Sequence, residues 1–174
     1  MKAASRGSIT DVEALLGRGA PVNATDIFGL TALMYAVSAS NTDVILLLLD
    51  YGADLRARSA NGLTALELAQ AKGRTEVVRL LRSAALLVAA RDGNPARVAE
   101  ALNDGADINT ELSGGWTALM VAAINNHADI VRALLEQGAD VSRKTDNDWT
   151  ALKIATHKGF EKIAELLREH GAEG

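Results

Sequence analysis

A short block of residues recurs along the chain, and its spacing limits the possible folds more than any other feature. The block begins with Thr-Ala-Leu and continues into a mostly apolar stretch, and its four copies start at Thr31, Thr64, Thr117 and Thr150. The first two copies are 64 − 31 = 33 residues apart and the last two are 150 − 117 = 33 apart, whereas the middle gap is 117 − 64 = 53. A fixed period near 33 indicates a chain built from stacked repeats.

Each repeat is predicted to form two short helices joined by a turn. The Thr side chain can cap the free N–H groups of the first helix, and Thr64 with Glu67 three residues later matches a capping box. The apolar residues that follow lie at helical spacing. The first helix then ends at a residue that tolerates the left-handed conformation. These residues are Gly7, Ser40, Gly73, Gly93, Asn126 and Gly159.

Five of the second helices end at a Gly-Ala pair, which is typically followed by an extended segment and a tight turn that lead to the next block, whereas the helix that begins at Thr75 has no such pair. The pairs begin at Gly19, Gly52, Gly105, Gly138 and Gly171. Asn61-Gly62 is the strongest hairpin signal among the tight turns. Asp148 occupies the turn position that Gly29, Gly62 and Gly115 occupy elsewhere, so we expect a positive φ at Asp148, which Asp tolerates better than most residues.

This pattern of helix, turn, helix and finger resembles the ankyrin-repeat family. The resemblance is carried by the four Thr-Ala-Leu blocks and by the Gly-Ala-Asp segments at 52–55, 105–109 and 138–141, and it covers nearly the whole chain. The chain differs from the family pattern in having Ala where Pro usually follows the Thr, although Ala is a good helix former. It also lacks the common His two residues later, where it has Met34, Glu67, Met120 and Lys153. The resemblance implies an all-α solenoid of ankyrin repeats with β-hairpin fingers.

The period predicts six repeats with one finger missing between the third and the fourth. The repeats span about 1–30, 31–63, 64–83, 84–116, 117–149 and 150–174, and the first is truncated. The two halves also align at a shift of 86 residues, which pairs Gly7 with Gly93 and Thr31 with Thr117. We therefore interpret the chain as two three-repeat modules, 1–83 and 84–174.

The junction between the modules, at 82–85, allows two structures. A tight turn near Ser83 would let all six repeats stack as one solenoid, whereas one continuous helix over 75–90 would separate the halves. The turn is favoured because a module of three repeats buries its ends poorly.

Composition and charge exclude several classes of function. The chain has no cysteine, so disulfides and thiolate metal sites are excluded. No apolar run is long enough to span a membrane, and the absence of a secretory signal favours the cytoplasm. Residues 1–83 carry 9 Lys and Arg against 8 Asp and Glu, and residues 84–174 carry 9 against 14, so neither half resembles a nucleic-acid surface. Motifs of known enzymes are missing, the histidines lack ligand spacing, and we expect no cofactor or metal.

The ankyrin resemblance implies that a partner contacts the finger tips and the concave face formed by the first helices. Trp116 and Trp149 lie 33 residues apart in equivalent positions. They either pack on the finger base, as Leu30 and Leu63 would in the same position, or anchor a partner, since Trp is enriched in binding hot spots. The candidate partner-binding residues are Ile27, Phe28, Leu30, Arg58, Asn61, Lys72, Arg91, Trp116, Asn125, Lys144, Asn147, Trp149, His157 and Lys158.

These observations favour a non-catalytic module that binds another protein, whose identity the sequence does not give. The alternative is a structural or engineered scaffold with no natural partner. We expect a monomer, although the truncated first repeat leaves Ile9, Val12 and Leu16 poorly covered and could support a dimer through the N-terminus. His127 fills a position where the family commonly has a structural His.

Overall fold

The computed structural model describes residues 1–173, which form eleven α-helices and one short 3₁₀ turn. The helices are α1 (Lys2–Arg6), α2 (Ile9–Gly17), α3 (Ala32–Ala39), α4 (Thr42–Asp50), α5 (Ala65–Ala71), α6 (Thr75–Arg91), α7 (Pro95–Asn103), α8 (Ala118–Ile124), α9 (Ala128–Glu136), α10 (Ala151–Lys158) and α11 (Glu161–Glu169), and the 3₁₀ turn is Ser113–Gly115. The β pairing within residues 1–173 is limited to isolated bridges, from Thr25 to Thr31 and from Leu112 to Trp116. The all-α repeat fold predicted from the sequence is confirmed.

The four block threonines are the N-caps of α3, α5, α8 and α10. Each hydroxyl oxygen accepts a hydrogen bond from the backbone N–H three residues later, at distances of 3.1–3.4 Å. The capping box at Thr64 is present, because Glu67 Oε2 accepts from Thr64 N at 2.7 Å. Such a cap contributes about 1 kcal/mol to stability. The helix starts predicted from the repeated Thr are therefore confirmed.

Within residues 1–173, three residues other than glycine have a positive φ, and all three lie at turns predicted to need one. Ser40 follows the last residue of α3 and has a φ of 57°. Asn126 lies in the turn after α8 and has a φ of 60°. Asp148 has φ of 61°, as predicted from its alignment with turn glycines. The backbone of the repeat thus dictates the conformation at these positions even where the residue is not glycine.

The chain divides into two compact units, of which the first is Met1–Leu81. In this unit α3 packs against α1, α4 and α5. Its core is formed by Leu33, Met34 and Val37 of α3 together with Ile45 and Leu48 of α4, and all are almost fully buried. Burying each of these side chains contributes roughly 1.5–3 kcal/mol, so the face between α3 and α4 holds the unit together.

The truncated first repeat is better covered than expected. Val12 is buried and Leu16 is half-buried, because α2 packs against α1 and α4. Ile9 remains exposed, as expected.

The second unit is Arg82–Gly174, in which α8 packs against α9 and α10, and α10 packs against α11. Large side chains such as Leu119, Ile130 and Ile163 fill its core. Small side chains at the helix contacts, Ala122 and Ala155, are fully buried. Alanine at these positions lets the helix backbones approach closely, which explains why a chain with 3% aromatic residues still packs a core.

The turn favoured near Ser83 is wrong, because α6 is one continuous helix from Thr75 to Arg91. The boundary between the two compact units falls within it. Residues 80–90 contain no Gly or Pro and are rich in Leu and Ala, so helix propensity favours continuation. The polar Ser83 is accommodated because its hydroxyl donates to Thr110 Oγ1 at 3.0 Å while the residue is fully buried.

One side-chain hydrogen bond of unit 1 is repeated within unit 2, at residues 86 positions later. In unit 1 Asn23 Oδ1 accepts from Asp54 N at 2.8 Å. In unit 2 Asn109 Oδ1 accepts from Asp140 N at 2.8 Å. These bonds join consecutive repeats through the segments that follow their second helices, so the two units use the same connection.

Candidate interaction surface

The four fingers share one construction. Each is closed by a backbone hydrogen bond from the N–H of a residue before its turn to the carbonyl four residues later. These bonds join Asp26 to Leu30, Ser59 to Leu63, Leu112 to Trp116 and Thr145 to Trp149, at 2.9–3.1 Å. Leu30, Leu63, Trp116 and Trp149 therefore occupy structurally equivalent positions.

Consecutive fingers within a unit are joined backbone to backbone. Ala60 N donates to Phe28 O at 2.8 Å in unit 1, and Asp146 N donates to Gly114 O at 3.0 Å in unit 2. The approach is so close that a Cβ added to Gly29 would lie 2.8 Å from Ala60 N. These contacts fix each finger against its neighbour before any partner arrives.

The first finger presents two large apolar side chains to solvent, with Ile27 91% exposed and Phe28 61% exposed. Its conformation is fixed by Asp26, whose Oδ1 accepts from Phe28 N and Leu30 N, both at 2.9 Å. Asp26 Oδ2 accepts from the Tyr35 hydroxyl at 2.7 Å. The bond from Tyr35, together with the two backbone N–H groups, lowers the pKa of Asp26, and the same bond to Asp26 raises the pKa of Tyr35.

The second finger carries charged side chains beside one exposed apolar side chain, Leu63. Arg58 donates to Gly62 O within the finger and forms an ion pair with Glu67 Oε2 at 3.2 Å. The backbone N–H of Thr64 is the main cause that lowers the pKa of Glu67, and Arg58 adds to it. Asn61 at the turn and Lys72 after α5 are exposed, as predicted.

The two tryptophans differ although their sequence positions are equivalent. Trp116 is half-buried and packs against the core of unit 2, which favours the packing interpretation for this residue. Trp149 is 38% exposed, and its ring meets the His157 ring edge-on, with centroids 5.2 Å apart and planes at 75°. Another finger follows that of Trp116, whereas within residues 1–173 none follows that of Trp149. Leu30 and Leu63 differ in the same way, since Leu30 is half-buried and Leu63 is exposed.

An open groove of about 740 Å³ lies between the fourth finger, α10 and the end of α11. It brings together three of the predicted residues, Asn147, Trp149 and His157. Sequence reasoning missed Lys153 of α10 and Arg168 of α11, which also line it. Lys153 was noted only as a replacement for the family His, and Arg168 only as part of a polar outer face. No sequence signal joins these two residues, because they lie on different helices.

The remaining predicted residues are exposed and lie apart from this groove. Arg91 ends α6 and pairs with Asp92, Nε to Oδ1, at 3.3 Å. Asn125 follows α8 and donates to Val121 O at 2.8 Å. Lys144 lies in the fourth finger and Lys158 at the end of α10, both with exposed side chains.

His127 has a structural contact. Its Nε2 lies 2.9 Å from the carbonyl oxygen of Arg91, and its ring covers Gly93. Asn41, which is 86 residues earlier, donates to Ala4 O at 2.8 Å and covers Gly7 in the same way. These side chains link the first turn of one repeat to the next.

Residues 1–173 hold no group of three or more His, Asp or Glu side chains arranged to bind a metal ion. They also include no helix that is both long and apolar enough to cross a membrane.

Comparison with known proteins agrees with this architecture. A family model described as ankyrin repeats in three copies matches residues 1–85 and again residues 86–174. A search of curated proteins found no significant match to the chain. Since the two matches together span its full length, the chain belongs to the ankyrin-repeat family.

Proposed function

We propose that this protein binds a partner protein through its finger tips and the exposed ends of its first helices, without catalysing a reaction. Ankyrin repeats are generally protein–protein interaction modules and are generally non-catalytic. The mode of binding proposed for this chain rests on the geometry of its fingers.

The observation that carries the proposal is the exposure of Ile27 and Phe28 on a finger that is already fixed. An apolar side chain of this size loses about 25 cal/mol for each Å² left in water, so burial by a partner is favourable. Asp26 and Tyr35 hold the finger through three hydrogen bonds. Binding then costs little ordering of the backbone, which is the advantage of a preorganised surface.

Charge and acidity support a protein partner and a non-catalytic role. The half 84–174 carries 14 acidic against 9 basic residues and would repel a phosphate backbone.

The carboxyl groups with shifted pKa values support a non-catalytic role. Asp26, Glu67 and Asp140 all have a lowered pKa, and hydrogen bonds to Tyr35, Thr64 and Ser142 are the respective main causes. A carboxyl group that acts as a general acid near neutral pH needs the opposite shift.

The proposal is tested by affinity capture from a lysate of the source cells, with the intact chain as bait. The variant carries Ile27→Ser and Phe28→Ser, which remove exposed side chains and therefore leave the core intact. The matched control is Tyr51→Ser, which removes another exposed aromatic side chain, at the end of α4. We expect a captured protein that the finger variant loses and the control keeps. Equal capture by all three baits would contradict a site on the first finger, and no capture by any of them would favour the scaffold alternative.

A further inference from the structure

We propose that the groove between the fourth finger, α10 and α11 binds an extended acidic peptide segment that carries one apolar side chain. This inference rests on the proposed function, because it names the chemistry of a partner segment. It concerns a different surface from the first finger, so the two can fail separately.

The floor of the groove is apolar and already in place. Leu152 of α10 and Ala172 after α11 line it, and Trp149 forms one wall. The edge-on contact between Trp149 and His157 restricts the indole ring. A leucine-sized side chain can therefore be buried against the indole without reordering the wall.

Two cations flank this apolar floor without a partner. The side chains of Lys153 and Arg168 form no ion pair or hydrogen bond with any other residue of 1–173. Asp148 is the one carboxylate among the lining residues. The groove is thus locally cationic within an acidic half of the chain, which complements carboxylates on a bound segment.

The finger backbone adds a position for a main-chain contact. Gly114 O accepts from Asp146 N of the next finger at 3.0 Å. The equivalent carbonyl in the fourth finger belongs to Asn147, since 114 + 33 = 147, and it accepts no hydrogen bond from any residue of 1–173. An extended segment that donates an N–H to Asn147 O would take the place of a further finger, in the manner of strand addition.

A second copy of the chain fits this groove less well. Its most exposed apolar finger carries Ile27 and Phe28, but the neighbouring Asp26 carboxylate is bound within that finger. Lys153 and Arg168 would then remain without acidic partners. An acidic peptide satisfies the backbone, apolar and charged positions together.

The test uses the full chain labelled with ¹⁵N and two synthetic peptides. One is a blocked pentapeptide with a central Leu between pairs of Glu, and the other has Gln in place of every Glu. The chain has two tryptophans, so the Trp149 indole N–H reports on the groove and the Trp116 indole N–H serves as an internal reference. We expect the Glu peptide to shift the Trp149 signal alone, and the Gln peptide to bind about three- to tenfold more weakly. Equal binding of both peptides, or a shift confined to Trp116, would overturn the proposal.

Substitutions of exposed residues test whether Lys153 and Arg168 bind the carboxylates of the peptide. Lys153→Gln together with Arg168→Gln should weaken the Glu peptide by about three- to tenfold, whereas Asp148→Asn should strengthen it by about two- to threefold. Arg132→Gln on α9 is the matched control and should change nothing, since Arg132 is exposed and lies outside the groove. Unchanged binding to the double variant would overturn the proposal. So would concentration-dependent self-association that the double variant abolishes, because the occupant would then be a second copy. If the first finger captures a partner while the peptides fail, only the groove assignment falls.

Discussion

The Tyr35 hydroxyl donates to Asp26 Oδ2 at 2.7 Å, and this bond ties the first finger to helix α3. The counterparts of these residues 86 positions later are Val121 and Leu112, so the bond belongs to the first unit alone. The finger that exposes Ile27 and Phe28 thus has a support that its counterpart lacks.

We expect Tyr35→Phe to raise the pKa of Asp26 toward its ordinary value, because the Tyr35 bond is the main cause of its lowering. A lowered carboxyl pKa stabilises the fold above the pKa of the unfolded chain, and this contribution disappears as pH falls through the folded pKa. The raised pKa of Tyr35 acts in the opposite sense, stabilising below about pH 10 and losing its contribution as pH rises through the folded pKa. The bond therefore stabilises between about pH 4 and pH 10. Carboxyl ¹³C titration of both proteins measures the shift, and an unchanged Asp26 pKa in the variant would contradict this account.

The same change to alanine should have unequal effects at Gly29 and Gly62. Both residues have a positive φ, of 68° and 77°, so each variant carries a backbone strain of about 1–2 kcal/mol. At Gly29 the new Cβ would also lie 2.8 Å from Ala60 N, whereas at Gly62 it meets no atom within 4 Å. We expect Gly29→Ala to lower the free energy of unfolding by about 1–2 kcal/mol more than Gly62→Ala, measured in urea. Equal losses would show that the close approach of the two fingers is not energetically important.

Removal of the cap at α5 should cost about 1 kcal/mol. In the unmodified chain Glu67 N donates to Thr64 Oγ1 at 3.2 Å. Thr64→Ala removes this acceptor. Thr64→Ser keeps a hydroxyl and should recover most of the loss. Urea unfolding of the three proteins provides the comparison, and a serine variant as unstable as the alanine variant would show that the methyl group, and not the cap, is responsible.

The continuity of α6 predicts a large effect of proline at Ser83. Proline inside a helix removes a backbone hydrogen bond and clashes with the preceding turn, at a cost of about 3 kcal/mol or more. Ser83→Ala is the matched control, because it removes only the hydroxyl that donates to Thr110 Oγ1. Urea unfolding of both variants measures the difference. If Ser83→Pro lowers the free energy of unfolding no more than Ser83→Ala does, α6 is not continuous at Ser83 and the turn predicted from the sequence is correct.

The fold was predictable because most repeats carry their own start and stop signals. The cap at Thr117 and the positive φ of Asn126 and Asp148 follow from local chemistry that recurs every 33 residues. The junction at Ser83 was mispredicted because the expectation rested on end burial of the repeats. Local helix propensity determines α6 instead, and Ser83 finds a partner in Thr110 far along the chain.

The candidate surface was only partly predictable, since exposure depends on what lies next to a residue in space. Trp116 and Trp149 share a sequence position, yet only the finger of Trp116 is followed by another finger within residues 1–173. Lys153 and Arg168 meet at one groove because α10 and α11 pack together, and no spacing in the sequence encodes that meeting.

The most direct test of the account is photo-crosslinking from the first finger in the source lysate. A benzophenone amino acid replaces Phe28 in one protein and Tyr51 in a second, and both side chains are exposed. The account predicts a crosslinked partner protein from position 28, abolished by an excess of the unmodified chain, and none from position 51. Crosslinking of the same protein from position 51 but not from position 28 would contradict a partner site on the first finger.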